Sequence, residues 1–413
     1  MVPKGWTHTT LGKVMVFKNG LNFTKADVGE EIKIVGVSDF KDLSELRSTE
    51  RLESVNVASH IKDDELLTDG DLLFVRSNGN KDLIGRCLFF PEVKERLSFS
   101  GFTIRGRADK KNILPQYIAF VARSSFFKSQ ISQYGGGTNI SNLSQQILND
   151  IALPLPPHDE QKKIVQILST WDKAIGTTEQ LLANSQQQKK ALMHQLLTGK
   201  KRLLDSNGVR FSGEWKKVKV RDLIIQYSEK TDRNNQYPVL TSSRQGMLFQ
   251  KDYYNGRDVA SEDTTGYNVV PFGYFTYRHM SDDLNFSFNI NELCEKGIVS
   301  TLYPVFKAKE EEITPYLLRL ILNEGREFKH FSLAQKQGGS RTYMYLSKLQ
   351  ELKLNIPRLE EQQRIAAVLS TAEQEINALQ QKLDALKQEK RALMQQLLTG
   401  KLRVQVPKEE VAC

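Results

Sequence analysis

Five short polar stretches hold the side chains of this 413-residue chain that could act on a partner. The first carries Arg76, Asn78, Asn80 and Lys81. The second is the glycine-rich run 135–139, with Thr138 and Asn139. The third, Thr241 to Gln245, carries Ser243 and Arg244. The fourth is Tyr277-Arg278-His279, with Arg278 at its centre. The fifth runs from Lys336 to Tyr343 and includes Arg341. Guanidinium, ammonium, amide and hydroxyl groups beside glycine can hold phosphate oxygens and read base edges in the major groove. Any one stretch reads equally well as a solvated loop. Taken over both halves of the chain, contact with a polyanion by some stretches in each half is the stronger reading.

Catalytic constellations are missing. The Gly-Lys pairs at Gly12, Gly199 and Gly400 lack the upstream glycine and the following Ser or Thr of a nucleotide-binding P-loop. No Asx-Pro-Pro-aromatic motif and no glycine motif opening a dinucleotide fold is present, which argues against methyl transfer by the chain itself. The six histidines form no cluster, so no metal site is expected. Glu214-Trp215-Lys216 after Asp205 has a nuclease-like composition, but it lies in a polar linker without flanking apolar strands.

The elements that must position these loops are set by a repeat. Residues 156–200 read PPHDEQKKIVQILSTWDKAIGTTEQLLANSQQQKKALMHQLLTGK. Residues 357–401 read PRLEEQQRIAAVLSTAEQEINALQQKLDALKQEKRALMQQLLTGK. The copies align without a gap, Gly199 answering to Gly400, so internal repetition sets the architecture. Each copy reads as one long helix. A proline precedes it, acidic residues occupy its first turn, and glycine sits where a left-handed C-cap belongs. One seam with heptad steps runs through Ile164, Leu168, Trp171, Ile175, Thr178, Leu182, Ser185, Lys189, Leu192 and Leu196. The second copy has it from Ile365 to Leu397. Helices this long exceed ordinary globular ones, so the expectation is an antiparallel intramolecular coiled coil carrying the blocks to opposite ends.

The expected organisation is a first block over 1–157, a central helix over 158–200, a linker and second block over 201–357, a C-terminal helix over 358–403 and a tail over 404–413. Both blocks read as globular α/β (α+β) domains. In the first, residues 32–37 are strand-like, 72–76 form a buried strand after an Asp-Gly-Asp turn, and Phe102 and Ile104 share one face of a strand over 99–107. Pro115 opens a helix. The second block echoes this loosely: Val269 to Phe275 matches the run after Gly70, and both runs end in arginine, Arg278 and Arg76.

Hydrophobic content of 39% supports true cores, and 413 residues are too many for one ordinary domain. The formal net charge of +9 is compatible with a polyanionic partner. The scattered cysteines Cys87, Cys294 and Cys413 point to a reducing cytoplasm. The opening MVPKGWTHTT lacks an apolar signal core, and no apolar run is long enough to span a membrane.

A helix that opens Pro-x-x-x-Glu-Gln and closes Leu-Leu-Thr-Gly-Lys, twice, after two variable blocks, resembles the conserved regions of type I restriction–modification specificity subunits. Gly70-Asp71-Leu72-Leu73-Phe74 and Pro115-Gln116-Tyr117-Ile118 resemble signatures of that family's target-recognition domains; Pro271-Phe272-Gly273-Tyr274 departs from the first. The resemblance implies a non-catalytic, cytoplasmic bacterial or archaeal subunit. Each block would read one half of a bipartite sequence in double-stranded DNA. The helices would set the spacer and dock two adenine-N6 methyltransferase subunits, and two restriction/translocase subunits would join. It implies no cofactor on this chain, with S-adenosylmethionine, ATP and magnesium on the partners. The rival reading is a coiled-coil adaptor that does not bind DNA.

Overall fold

The computed structural model describes residues 3–24, 28–40, 43–58, 60–134, 142–256, 260–336 and 341–406. They form two compact units. One holds the residues up to Gln180 together with those from Gln380 on; the other is Leu181–Leu379. Each contains a mixed α/β head and a length of both long helices.

In the first unit a four-stranded antiparallel sheet runs in the order Met15–Asn19, Thr103–Ala108, Leu72–Val75, Cys87–Phe89. Leu72–Val75 is buried at all its positions because it is central and covered on both faces. A second sheet orders Glu53–Val57, Glu30–Val35 and Leu97–Phe99, the last pair parallel. Helices Pro115–Arg123 and Ser125–Tyr134 supply Tyr117, Ile118, Phe120 and Phe127 to the core. The strand expected over 99–107 is interrupted. The chain turns at Gly101-Phe102 between two strands, and Phe102 is exposed rather than sharing a buried face with Ile104.

The second unit repeats the plan. Its four-stranded sheet orders Ile224–Tyr227, Val305–Ala308, Phe275–Thr276 and Asn289–Ile290. Helices Pro315–Glu324 and Arg326–Ala334 cover its core. Hydrogen bonds align the heads residue by residue. The Gly70 N–H donates to Phe90 O and the Gly273 N–H to Asn291 O, both glycines with positive φ, 88° and 81°. A side chain would be strained at either. Counting on from these turns, Arg76 corresponds to His279, not to Arg278 as the shared arginine suggests. The common feature is a backbone pattern, to which a similarity of side chains one position away is no guide.

The helices run His158–Leu197 and Leu359–Leu398, 40 residues each. Gly199 and Gly400 take positive φ, 67° and 72°, and their N–H groups donate to the carbonyls of Leu196 and Leu397. Every seam position is buried or half-buried. The helices pair antiparallel within each unit, since partners rise in number along one as they fall along the other. In the first unit Asp172 meets Lys390 and Glu179 meets Lys387. In the second Ser185 meets Glu375 and Lys189 meets Glu373. Lys189 and Lys390 are equivalent seam positions of the repeat, and Asp172 and Glu373 are equivalent positions beside the seam, so the same ion pair occurs once in each unit. Thr178, the other polar seam residue, returns its hydroxyl to Ala174 O at 2.8 Å.

Each head is tied to its helix by a buried glutamine. Gln161 accepts from the Leu114 N–H at 2.9 Å and donates to the carbonyls of Asn112 and Pro156. Gln362 accepts from the Thr314 N–H at 3.1 Å and donates to Glu312 and Pro357. Replacing Gln161 by alanine leaves one buried donor and two buried acceptors without that partner, each unpaired group costing about 1–3 kcal/mol. Gln161→Ala should therefore raise hydrogen exchange at the amides of residues 112–118 and leave 312–318 unchanged. Gln362→Ala should do the reverse.

Candidate nucleic-acid interface

In the first unit Arg76 follows directly on the end of the central strand Leu72–Val75. Its Nη1 lies 3.4 Å from Gly101 O, and its own carbonyl accepts from the Leu143 N–H at 2.7 Å. Asn78 uses Oδ1 to accept from the Asn80 N–H at 2.8 Å, and Asn80 caps the following turn by accepting from the Asp82 N–H at 3.0 Å. Lys81 is exposed at the start of that turn. Asn78 lines a cleft of about 730 Å³ with Phe23, Arg51, Ser77 and Phe102. Asp39 and Glu53 also line it, so its charge is mixed. Thr138 and Asn139 lie outside the described residues. Two further arginines of this unit are structural. Arg105 is buried and donates to the carbonyls of Asp64 and Leu66. Arg107 makes a two-pronged pair with the buried Asp71 at 2.8 and 2.7 Å.

In the second unit a cleft of about 580 Å³ brings together Ser243, Arg244 and Arg278. Ser243 is buried and shapes the hairpin turn, donating to Gly246 O and accepting from the Gln245 N–H. Arg244 is ion-paired with Asp283, and Arg341 with Asp282 at 3.0 Å. The Asp283 carboxyl is held well below the usual carboxylate range, first by the Asn285 side-chain amide and then by the Ser281 hydroxyl. Among the described residues no carboxylate pairs with Arg278, which is exposed. Tyr277, its neighbour in the sequence motif, is fully buried and donates to Met344 O at 2.8 Å. Lys336 is exposed and does not line the cleft.

Tyr343 belongs to an aromatic group drawn from separate stretches of the chain. It stacks on Tyr345 at 5.8 Å between ring centroids, and His279 lies 5.0 Å from Tyr345. Both tyrosines are exposed. Their i, i+2 spacing is a visible signal for a shared face of extended chain. That His279 lies beside them is visible only in the fold.

Other chemistry is weak. Burial pushes the Cys87 thiol up to about 12, and it raises Cys294 as well, so neither forms a ready nucleophile near neutral pH. No group of His, Cys, Asp and Glu among the described residues could hold a metal ion. No helix among them is long and apolar enough to cross a membrane.

Two heads of one plan with unlike loop surfaces, each with its own length of the repeated antiparallel helices, are features of the restriction–modification specificity type. The model of the type I restriction modification DNA specificity domain matches residues 3–184 and again 212–388, and the chain belongs to that family. It is 23% identical to the type I restriction enzyme MjaVIII specificity subunit of Methanocaldococcus jannaschii, over 98% of this chain and 94% of that one. Two solved structures share the fold. One is the type I restriction–modification S subunit from M. genitalium, with a TM-score of 0.54 and 13% identity over 96% of each chain. The other comes from work on complex assembly and conformational transition of the type I system. Its TM-score is 0.55 at 16% identity, over 97% of this chain and all of that one.

The arginine pairs of the second unit are exposed, and exposed ion pairs contribute little to stability. Arg244→Ala and Arg341→Ala should leave the urea midpoint of unfolding unchanged within error. A clear drop in midpoint would assign these arginines to holding the head together.

Proposed function

We propose that this chain is the DNA-reading, non-catalytic subunit of a type I restriction–modification complex, each head recognising one half of a bipartite target in double-stranded DNA. The observation that carries the reading is the contrast between frame and loops. The ties from head to helix repeat almost atom for atom: Gln161 with Gln362, and Glu160–Arg403 with Glu361–Arg202. The loops at the strand exits share almost no side chains. A scaffold kept twice with two different surfaces suits a reader of two unlike sequences.

The groups on those surfaces fit the role. Arg76, Asn78, Asn80 and Lys81 stand in the first head; Arg244, Arg278, Lys336, Arg341 and Tyr343 stand in the second, with Ser243 shaping the turn that presents Arg244. Thr138 and Asn139 complete the candidate contacts. Cationic groups would take phosphates, and amides and guanidinium groups would take base edges. Phosphate contact by Arg244 and Arg341 requires exchange of Asp283 and Asp282 for the DNA. The helices would dock two adenine-N6 methyltransferase subunits, with two restriction/translocase subunits joining them. S-adenosylmethionine, ATP and magnesium would be bound by those partners.

A block exchange tests the two-headed reading. Replacing residues 1–157 by the corresponding block of a relative, in cells that supply the methyltransferase, should change one half of the methylated target and leave the other intact. Methylome sequencing reads the outcome, and a change in both halves would refute independent heads. An adaptor that does not touch DNA would show no affinity that falls steeply with salt.

Helix length tests the spacer. Insertion of four residues after Gln180, matched by four after Gln381 on the antiparallel partner, adds about 6 Å to the pair. DNA rises about 3.4 Å per base pair. The unread spacer should therefore grow by one or two base pairs with both half-sites unchanged. An unchanged spacer in a variant that still methylates would show that the helices do not set the distance.

A further inference from the structure

The two heads hold one polypeptide frame around different side chains at the end of their central strand. In the first, the Arg76 N–H donates to Phe102 O at 2.8 Å, the Leu143 N–H donates to Arg76 O at 2.7 Å, and the Thr103 N–H closes the turn on Ser100 O at 2.9 Å. In the second, the His279 N–H donates to Leu302 O at 3.1 Å, the Met344 N–H to His279 O at 2.7 Å, and the Tyr303 N–H to Ser300 O at 3.0 Å. Three backbone hydrogen bonds correspond one to one. Of the side chains at these positions only the serine is common.

Each frame lifts an apolar residue into solvent at the apex of its turn. Phe102 is 65% exposed and Leu302 41%. Single exposed apolar residues are ordinary, but here the same apex carries one in both heads, on a fixed backbone and beside a strand-exit residue able to hydrogen-bond. Core packing does not account for either. We infer that Arg76 with Phe102, and His279 with Leu302, are the equivalent base-contacting pairs of the two heads. The inference rests on the DNA-reading role proposed above, and duplex DNA is the occupant that the +9 net charge and the adjoining guanidinium groups favour.

The chemistry differs between the pairs, as two unlike half-sites require. The Arg76 fork matches guanine O6 and N7. His279 has its Nδ1 2.5 Å from Leu302 O, and a carbonyl only accepts, so Nδ1 carries the proton. In its uncharged form such a ring offers Nε2 as an acceptor, which suits the amino group of adenine N6 or cytosine N4. Tyr345 stacks on the same ring and limits its rotation. The apolar apex residues suit a thymine methyl group.

Selection of bound duplexes from a randomised pool by the full-length chain, assembled with its methyltransferase subunits, tests this. Arg76→Gln and Phe102→Ala should relax neighbouring base pairs in one half-site by about tenfold to a hundredfold. His279→Ala and Leu302→Ala should relax the other half-site only. If an alanine variant loses thermal stability, the exchanges Phe102→Leu and Leu302→Phe, at exposed positions, replace it and should shift preference at the same base pair. Folded variants that select the wild-type target at full stringency would overturn the inference while leaving DNA reading intact. So would a uniform loss of affinity for every duplex, the sign of phosphate contact. A wild-type complex that selects no sequence at all would instead remove the DNA-reading role itself.

Discussion

The structure depends most on how a carboxamide is used at the first turn of each long helix. Gln161 and Gln362 are both 1% exposed. Each satisfies a backbone N–H and a carbonyl at the start of a head helix and one carbonyl where the chain leaves the head. A buried amide with its bonds made is a strong directional constraint, because the alternative is an unpaired group in a low-dielectric site. The preceding glutamate adds a second tie. Glu361 forms a two-pronged pair with Arg202 at 2.5 and 2.7 Å, and Glu160 pairs likewise with Arg403. Arg202 lies over the Trp215 ring and Arg403 over Trp6. The Glu-Gln pair thus binds three pieces of chain at one point: the exit of its own head, that head's first residues, and the segment that follows the opposite helix.

The seam between the helices is held less strongly and more selectively. Leucines and isoleucines at heptad spacing tolerate a slide of one heptad, which places apolar residues opposite apolar residues again. A lysine on the seam removes that freedom. Lys189 meets Glu373 at 3.5 Å, and Lys390 meets Asp172 beside the Phe120 ring. A register slip would leave a half-buried ammonium without its carboxylate, which is far worse than an imperfect apolar contact. Polar seam residues are known to trade stability for register, and Lys189 and Lys390, falling at one position of the repeat, fit that use.

The helical frame was legible from residues alone because its signals are long and redundant. Forty residues of heptad spacing, a proline before and a glycine after, repeated in a second copy, leave little room for error. The heads were harder. Their strands are two to six residues long, and a shift of one residue turns every side chain to the other face. Arg278 and Arg76 differ by a shift of that size, since side-chain identity points to one residue and the hydrogen-bond frame to the next. Alternation puts Phe102 on one face with Ile104, because it cannot show a turn inserted between two strands. Arg244 and Arg341 read as loop arginines from the sequence, but their carboxylate partners, 39 and 59 residues away in the chain, lie beyond any local pattern.

These limits share a cause with the divergence of the heads. Where a turn is fixed by backbone donors and acceptors, the sequence need only avoid proline and supply glycine at a positive φ, as at Gly70 and Gly273. Side chains around such a turn are then free to change without altering its path. Where a tie is made by side chains, as at Gln161 and Glu160, substitution breaks it. The chain is accordingly repetitive in sequence along its helices and repetitive only in hydrogen bonding across its heads.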